Sequence, residues 1–272
     1  MNRQRLRVIV LAAQRKGVTD PLAMRFGTSH KCLIPLHGRP LIAHVLETLS
    51  DHPCVSEIFV SVEPELHRPI ARIACQFRIG DKVRTVPAAD NLADSVLGAA
   101  HGHEGPIVIT TADNALLSAN SIDAVASALS RGDVAMAFAQ EHSVRAAHAD
   151  GQRRFYQFRD GGYSNCNLYA IANPGALIAA EIFRGGGQFA KKAKRIVQAF
   201  GLLNLILFRT GLLTMENALQ RISRRFGVTI IPVVLADGSQ SIDVDNDRTY
   251  GVVAELMAAR RDGEPLAEPV AA

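Results

Sequence analysis

The chain of 272 residues lacks several features that would mark particular function classes. Its four cysteines, Cys32, Cys54, Cys75 and Cys166, stand too far apart for a C-x-x-C pair, which excludes a cysteine metal site of that spacing. They read as the reduced thiols of a cytoplasmic protein. The apolar run behind the basic N-terminus is a short strand and not a signal-peptide core. No run reaches the length of a membrane span. There is no zinc-finger spacing and no strand in which aromatic and basic residues interleave as in a single-strand binder. With a formal net charge of only +4, the separated basic clusters read as solvated surface, and nucleic acid is not an expected partner. No G-x-G-x-x-G follows the first strand run, which disfavours the dinucleotide-binding fold. No internal repeat or low-complexity segment is present.

What is present is an alternation of strand-like and helical patterns. Strands are expected at 7–12, 58–62, 83–86, 107–110 and 134–139. Helices are expected between them at 41–50, 65–75, 92–100 and 121–129. That order predicts an α/β fold, a mostly parallel sheet covered by helices on both faces. Ligands of such sheets sit beyond the carboxyl ends of the strands. The second half is less regular. Segments 153–158 and 165–171 alternate like antiparallel strands around the turn Asp160-Gly161-Gly162. Helical patterns follow at 174–183, 188–207 and 214–226, then a strand at 229–234 and a last helix at 247–260.

The stretch from Val8 to Leu41 carries the most chemistry. The apolar strand Val8-Ile9-Val10-Leu11 ends in Ala12-Ala13-Gln14, then a cationic loop containing Arg15, Lys16 and Arg25-Phe26-Gly27, then Lys31. A second apolar run, Leu33 to Leu36, precedes the turn His37-Gly38-Arg39-Pro40. A buried strand that opens into a cationic loop is suited to a triphosphate, because backbone N–H groups and fixed cations can surround its oxygens. Lys31 offers a compact point charge and Arg25 a forked contact.

These residues resemble the signature of the nucleotidyltransferases related to molybdenum-cofactor guanylyltransferase and to the sugar- and alcohol-phosphate cytidylyltransferases. The family pattern is LAAG-x-G-x-R-[MF]-G, a spacer, Lys, an apolar strand and G-[KR]-P-[LM]. Leu11-Ala12-Ala13, Arg25-Phe26-Gly27, Lys31 and Gly38-Arg39-Pro40 match it. Gln14 stands where the family has its first glycine, and 18–24 is an insertion. The resemblance implies a Rossmann-like, mostly parallel sheet of the GT-A nucleotidyltransferase type with a small antiparallel acceptor-binding lobe. The pattern along the chain predicts one domain over 1–261, with a nucleotide-binding half (1–140), an acceptor-binding half (141–261) and a disordered tail (262–272).

The same resemblance suggests roles for further residues. Asp113 directly follows the apolar strand 107–112 and takes the place of the family's metal-binding aspartate. Asp243-Val244-Asp245 resembles the closing motif, in which Asp245 completes the metal site; Asp243 and Asp245 would share one face of a strand. Asp247 is expected to cap the last helix. Magnesium is the expected cofactor, with manganese as the substitute, and a nucleoside triphosphate the co-substrate. Ala12, Ala13, Gln14 and Arg15 would approach the triphosphate. The segment containing Asp94 and Ser95 resembles the pyrimidine-reading helix start of cytidylyltransferases, so CTP is favoured over GTP. Asn91 stands there in place of a frequent arginine, and its plain reading is a helix cap. Asn167 matches the family's acceptor-lining strand. The basic cluster of Lys191, Lys192, Lys194 and Arg195 reads either as a grip on the acceptor's phosphate or as a solvated helix face.

The expected function is therefore metal-dependent transfer of a nucleotidyl group to a phosphorylated alcohol or sugar, with release of pyrophosphate. Two other classes stay open on the sequence. Asp243-Val244-Asp245 is formally the D-x-D of a nucleotide-sugar glycosyltransferase, and Gln14 with the loop insertion would suit a non-catalytic nucleotide-binding regulator. The interrupted apolar stretch 196–213 reads as buried core or homodimer interface, with peripheral contact to an anionic membrane as the alternative.

Overall fold

The computed structural model describes residues 5–14, 17–78, 80–183 and 212–262. Strand β1 (Leu6–Leu11) leads through a loop into a short helix α1 (Pro21–Arg25), a hairpin of β2 (Pro35–Leu36) and β3 (Arg39–Pro40), and helix α2 (Leu41–Asp51). The alternation continues through β4 (Val55–Val62), α3 (His67–Ala74), β5 (Val83–Pro87), α4 (Leu92–Ala100), β6 (Ile107–Thr111), α5 (Ala119–Ala128) and β7 (Val134–Gln140). Then come α6 (Glu141–Ala147), β8 (Tyr156–Phe158), β9 (Gly161–Ile171), the 3-10 segment Pro174–Phe183, α7 (Met215–Phe226), β10 (Ile230–Leu235) and α8 (Asp247–Asp262). Helix α6 has no counterpart in the sequence reading, since seven residues are too few to display a period.

Eight strands form one mixed sheet in the order β10-β7-β9-β6-β1-β4-β5, with β8 paired to β9. β1 lies parallel between β4 and β6, and β5 extends the parallel run. The β-branched strands fit this position. Val8, Ile9 and Val10 are all fully buried, as a strand with both faces covered requires. The antiparallel pattern of the second half belongs largely to β9, which runs between β6 and β7 and pairs with both in the opposite sense.

β9 is also irregular. Met136 faces Tyr169, but Phe138 faces Asn165, so two steps along β7 oppose four along β9. The slack is taken up at 166–168, and Asn167 adopts a left-handed backbone (φ 47°) there. A bulge of this kind re-aims a side chain. Pairing of β9 with β6 ends at Ile109, and beyond it Thr111, Ala112 and Asp113 line an opening.

The loop insertion is partly helical. Asp20 caps α1 by accepting from the N–H groups of Leu22 (2.9 Å) and Ala23 (3.1 Å), and Pro21 takes the first position, where no donor is needed. The β2–β3 hairpin turns through His37 (φ 46°) and Gly38 (φ 77°), a pair of left-handed residues suited to a two-residue turn. It docks on α8, through His37 Nε2 to the Ala254 carbonyl (2.8 Å) and from the Tyr250 hydroxyl to the Pro35 carbonyl (2.8 Å).

No helix among the described residues is long and apolar enough to cross a membrane. Arg15, Lys16, the cluster Lys191 to Arg195, the apolar stretch except Leu212 and Leu213, and the tail beyond Asp262 lie outside the described residues.

Ile58 sits at the centre of β4, fully buried, with Val8 and Val83 as its register partners. Ile58→Ala should lower stability by about 2–5 kcal/mol through lost burial and a residual cavity. Urea unfolding should show this as a lower midpoint with an unchanged slope.

Candidate functional site

The carboxyl ends of β1, β4, β5 and β6 open on one side of the sheet. There lies a cleft of about 590 Å³, lined among others by Ala12, Ala13, Gln14, Lys31, Asp113, Asn167 and Asp245. Its centre is Lys31, the first residue of the 3-10 turn Lys31–Leu33. The Lys31 ammonium donates to Asp113 Oδ2 and to Asp245 Oδ1, the latter at 2.6 Å. Thr111 Oγ1 donates to the other oxygen of Asp113 at 2.5 Å. The Asp113 carbonyl accepts the Val244 N–H (3.2 Å), which ties the closing motif to the end of β6.

Each ionisation here is set by its neighbours. Burial disfavours the Lys31 ammonium, but Asp113 and Asp245 outweigh that and raise its pKa. Burial likewise works against the Asp113 carboxylate, yet the Lys31 charge and the hydrogen bonds from Lys31 and Thr111 bring its pKa below the ordinary value. Asp243 goes the other way. Burial, then the charges of Asp113 and Asp245, push it well above the usual carboxylate range. Its Oδ2 accepts from Asn167 Nδ2 at 2.5 Å.

The closing motif is not a strand. Residues 242–245 belong to no helix or strand and Asn246 lies in a bend, so Asp243 and Asp245 do not share a sheet face. Asp243 is 5% exposed, whereas the Asp245 side chain is 61% exposed at the cleft mouth. The cap of α8 comes from Asn246, whose Oδ1 accepts the Thr249 N–H (3.2 Å). Asp247 is the first helical residue and pairs with Arg25. Thr249 Oγ1 accepts the N–H groups of Asp245 (2.9 Å) and Asn246 (3.1 Å), which fixes the Asp245 backbone.

Asp113 and Asp245 suit a divalent cation. One ammonium nitrogen contacts both carboxylates, so their oxygens converge on a point that a single cation can satisfy. The donors are hard oxygens, as magnesium prefers. Among the described residues, no group of three or more His, Cys, Asp or Glu side chains forms a metal site. Two carboxylates suit magnesium, which keeps waters and shares substrate phosphate oxygens.

The other residues singled out from the sequence are placed differently. Arg25 does not line the cleft. Its guanidinium and the Asp247 carboxylate are each 64% exposed at the rim, and Phe26 stacks on Tyr250 with ring centroids 4.7 Å apart. Asp94 and Ser95 brace the loop before α4. Asn91 caps the helix by accepting the Asp94 N–H (3.0 Å) and donates to Asp94 Oδ2 (2.6 Å), while Ser95 Oγ accepts the Ala89 N–H (3.0 Å). Leu92, their neighbour, is the cleft-lining residue. Sequence reasoning missed Thr111 and Glu63. Glu63 accepts the Gln14 N–H at 2.7 Å. It directly follows β4, so the strand-end argument that selected Asp113 would also have found it.

The fold has solved neighbours. A hypothetical transferase from Thermus thermophilus superposes with a TM-score of 0.73 at 21% identity, covering 91% of this chain and 100% of its own. The 4-diphosphocytidyl-2C-methyl-D-erythritol synthase of Anaerococcus prevotii gives 0.58 at 10% identity, over 94% and 99%. A CMP:2-keto-3-deoxy-manno-octonic acid synthetase complexed with CTP gives 0.54 at 13%, over 94% and 100%. No curated protein sequence matches the chain. The model of the MobA-like NTP transferase domain matches residues 8–226. With a match of that length, the chain belongs to the MobA-like NTP transferase family and is a nucleotidyltransferase.

Proposed function

We propose that this enzyme transfers CMP from CTP to a small phosphorylated alcohol or sugar, with magnesium held by Asp113 and Asp245, and releases pyrophosphate. The observation that carries this reading is the junction of Lys31 with Asp113 and Asp245 at the carboxyl ends of the strands. It sets a fixed cation and a cation-binding carboxylate pair beside each other in the cleft where a triphosphate fits.

In the reaction an oxygen of the acceptor's phosphate attacks the α-phosphorus of the nucleotide. The bond from that phosphorus to the bridging oxygen breaks, and pyrophosphate leaves with the electron pair. Both reactants are anions, so charge neutralisation and in-line placement carry most of the rate. Bound magnesium would supply Lewis-acid charge neutralisation at the phosphates. On this reading Lys31, whose ammonium now pairs with both carboxylates, exchanges them for the phosphate chain when the divalent cation and the nucleotide bind. Asn167, carried into the cleft by the β9 bulge, is on the acceptor's side. Arg25 waits at the rim, and Lys191 and Lys192 are proposed to grip the acceptor's phosphate. The preference for CTP is supported by the two cytidylyl- and CMP-transferring neighbours and by the resemblance around Asp94 and Ser95.

Asp113→Asn removes one carboxylate charge while keeping its size. It should lower kcat/KM by about 100-fold or more, on the order of 3 kcal/mol of transition-state stabilisation. Circular dichroism should show the fold intact. Lys31→Ala should cost a similar factor, and Arg25→Ala less, given its exposed pairing with Asp247. Near-normal turnover in Asp113→Asn at ordinary magnesium would remove it from the site.

The reaction itself is read from pyrophosphate release with each of the four nucleoside triphosphates against a panel of sugar, polyol and amino-alcohol phosphates. CTP should give the fastest release and a CDP-linked product. Preference for GTP would transfer the protein to guanylyl chemistry. Release of a free nucleoside diphosphate from a nucleotide sugar would identify a glycosyltransferase instead.

A further inference from the structure

Gln14 takes the place of a glycine in the family signature, and the structure gives it a job a glycine cannot do. Its side chain joins two loops. Nε2 donates to the Ser29 carbonyl at 2.9 Å, and Oε1 accepts the Asp20 N–H at 3.4 Å. Its backbone N–H is held by Glu63 Oε1 at 2.7 Å. The second oxygen of Glu63 is buried, makes no hydrogen bond, and lies 3.6 Å from Nε2 of His30. His30 is itself buried, and its Nδ1 lies 2.9 Å from Ser29 Oγ. Gln14, Ser29, His30 and Glu63 therefore close a ring of polar contacts. The next residue in the chain is Lys31.

We infer that Gln14 and Glu63 are positioning residues that hold the Lys31 turn against the end of β4 and so set where the Lys31 ammonium stands in the cleft. This rests on the nucleotidyl-transfer reading above only for its effect on rate. The geometry explains why a glutamine is needed here. The 18–24 insertion lengthens the loop between Gln14 and Lys31, and a longer loop costs more conformational entropy to hold in one place. The Gln14 amide offsets that by tying the insertion, at Asp20, to the segment after it, at Ser29. The segment carrying Lys31 is thereby fixed at both ends, by the ring on one side and by the 3-10 turn on the other. Displacement of a charged group by even 1 Å in such a site can cost about 100-fold in rate.

The test compares the wild type with Gln14→Ala, Glu63→Ala, Glu63→Gln and the Gln14→Ala/Glu63→Ala double variant. Hydrogen exchange on the free proteins reads the ring without any turnover. In Gln14→Ala, amides of 28–33 should exchange about tenfold faster, while those of β1 and β4 and the melting temperature stay close to wild type. Kinetically, Gln14→Ala should lower kcat about tenfold and leave the acceptor's KM unchanged. Glu63→Gln, which keeps an oxygen for the Gln14 N–H, should recover much of what Glu63→Ala loses. The double variant should cost little more than the worse single one, because both break the same ring. Unchanged exchange at 28–33 would overturn the inference whatever the rates. So would faster exchange with wild-type kcat, or strictly additive losses. A wild type that releases pyrophosphate from no nucleoside triphosphate would instead refute the proposed reaction, and the exchange result would still decide the ring.

Discussion

One interaction organises this molecule: the contact of the Lys31 ammonium with the carboxylates of Asp113 and Asp245. Each partner comes from a different part of the chain. Lys31 belongs to the segment after β1, Asp113 follows β6, and Asp245 precedes α8. Bringing two carboxylates together in a half-buried cleft is unfavourable unless a cation stands between them. The protein meets that constraint with its own lysine, whose ammonium stands between the two carboxylates. The surrounding contacts serve the same arrangement. Thr111 orients Asp113, Thr249 fixes the backbone of Asp245, and the β2–β3 hairpin anchors α8 against the N-terminal loops.

The parallel half of the fold was legible in the sequence because its central strands, β1 and β6, are rich in β-branched residues and buried on both faces, and because strands and helices alternate. Each of the five expected strands is present, within three residues at its edges. The cleft was legible for a related reason. Parallel strands direct their carboxyl ends to one side, so Lys31, Asp113 and the residues after β1 had to converge there. The closing motif was recognised from its resemblance, yet its backbone was misread. Alternation in Asp243-Val244-Asp245 looks like a strand, but the segment has no pairing partner, and its geometry is set by Thr249 and Asn246.

What the sequence concealed is mostly non-local. Nothing in 165–171 announces a bulge, because the mismatch exists only in the register between β9 and β7. The Gln14 ring is likewise invisible in a linear reading, since its members lie at 14, 29–30 and 63 and none has a motif of its own. Asp94 and Ser95 illustrate the opposite case. The local rule of helix capping accounts for the contact between Asn91 and Asp94, and it competes with the role that resemblance gave to the same segment.

The span between Lys31 and Asp245 has a consequence for how the enzyme comes into being. The two residues are 214 positions apart. At ribosomal rates of about 5–20 residues per second, roughly 10–40 s separate their synthesis. During that interval the nascent chain carries the cationic loop, and later Asp113, without the carboxylate that completes the pair. The Lys31 junction is completed only when almost the whole described fold has been laid down.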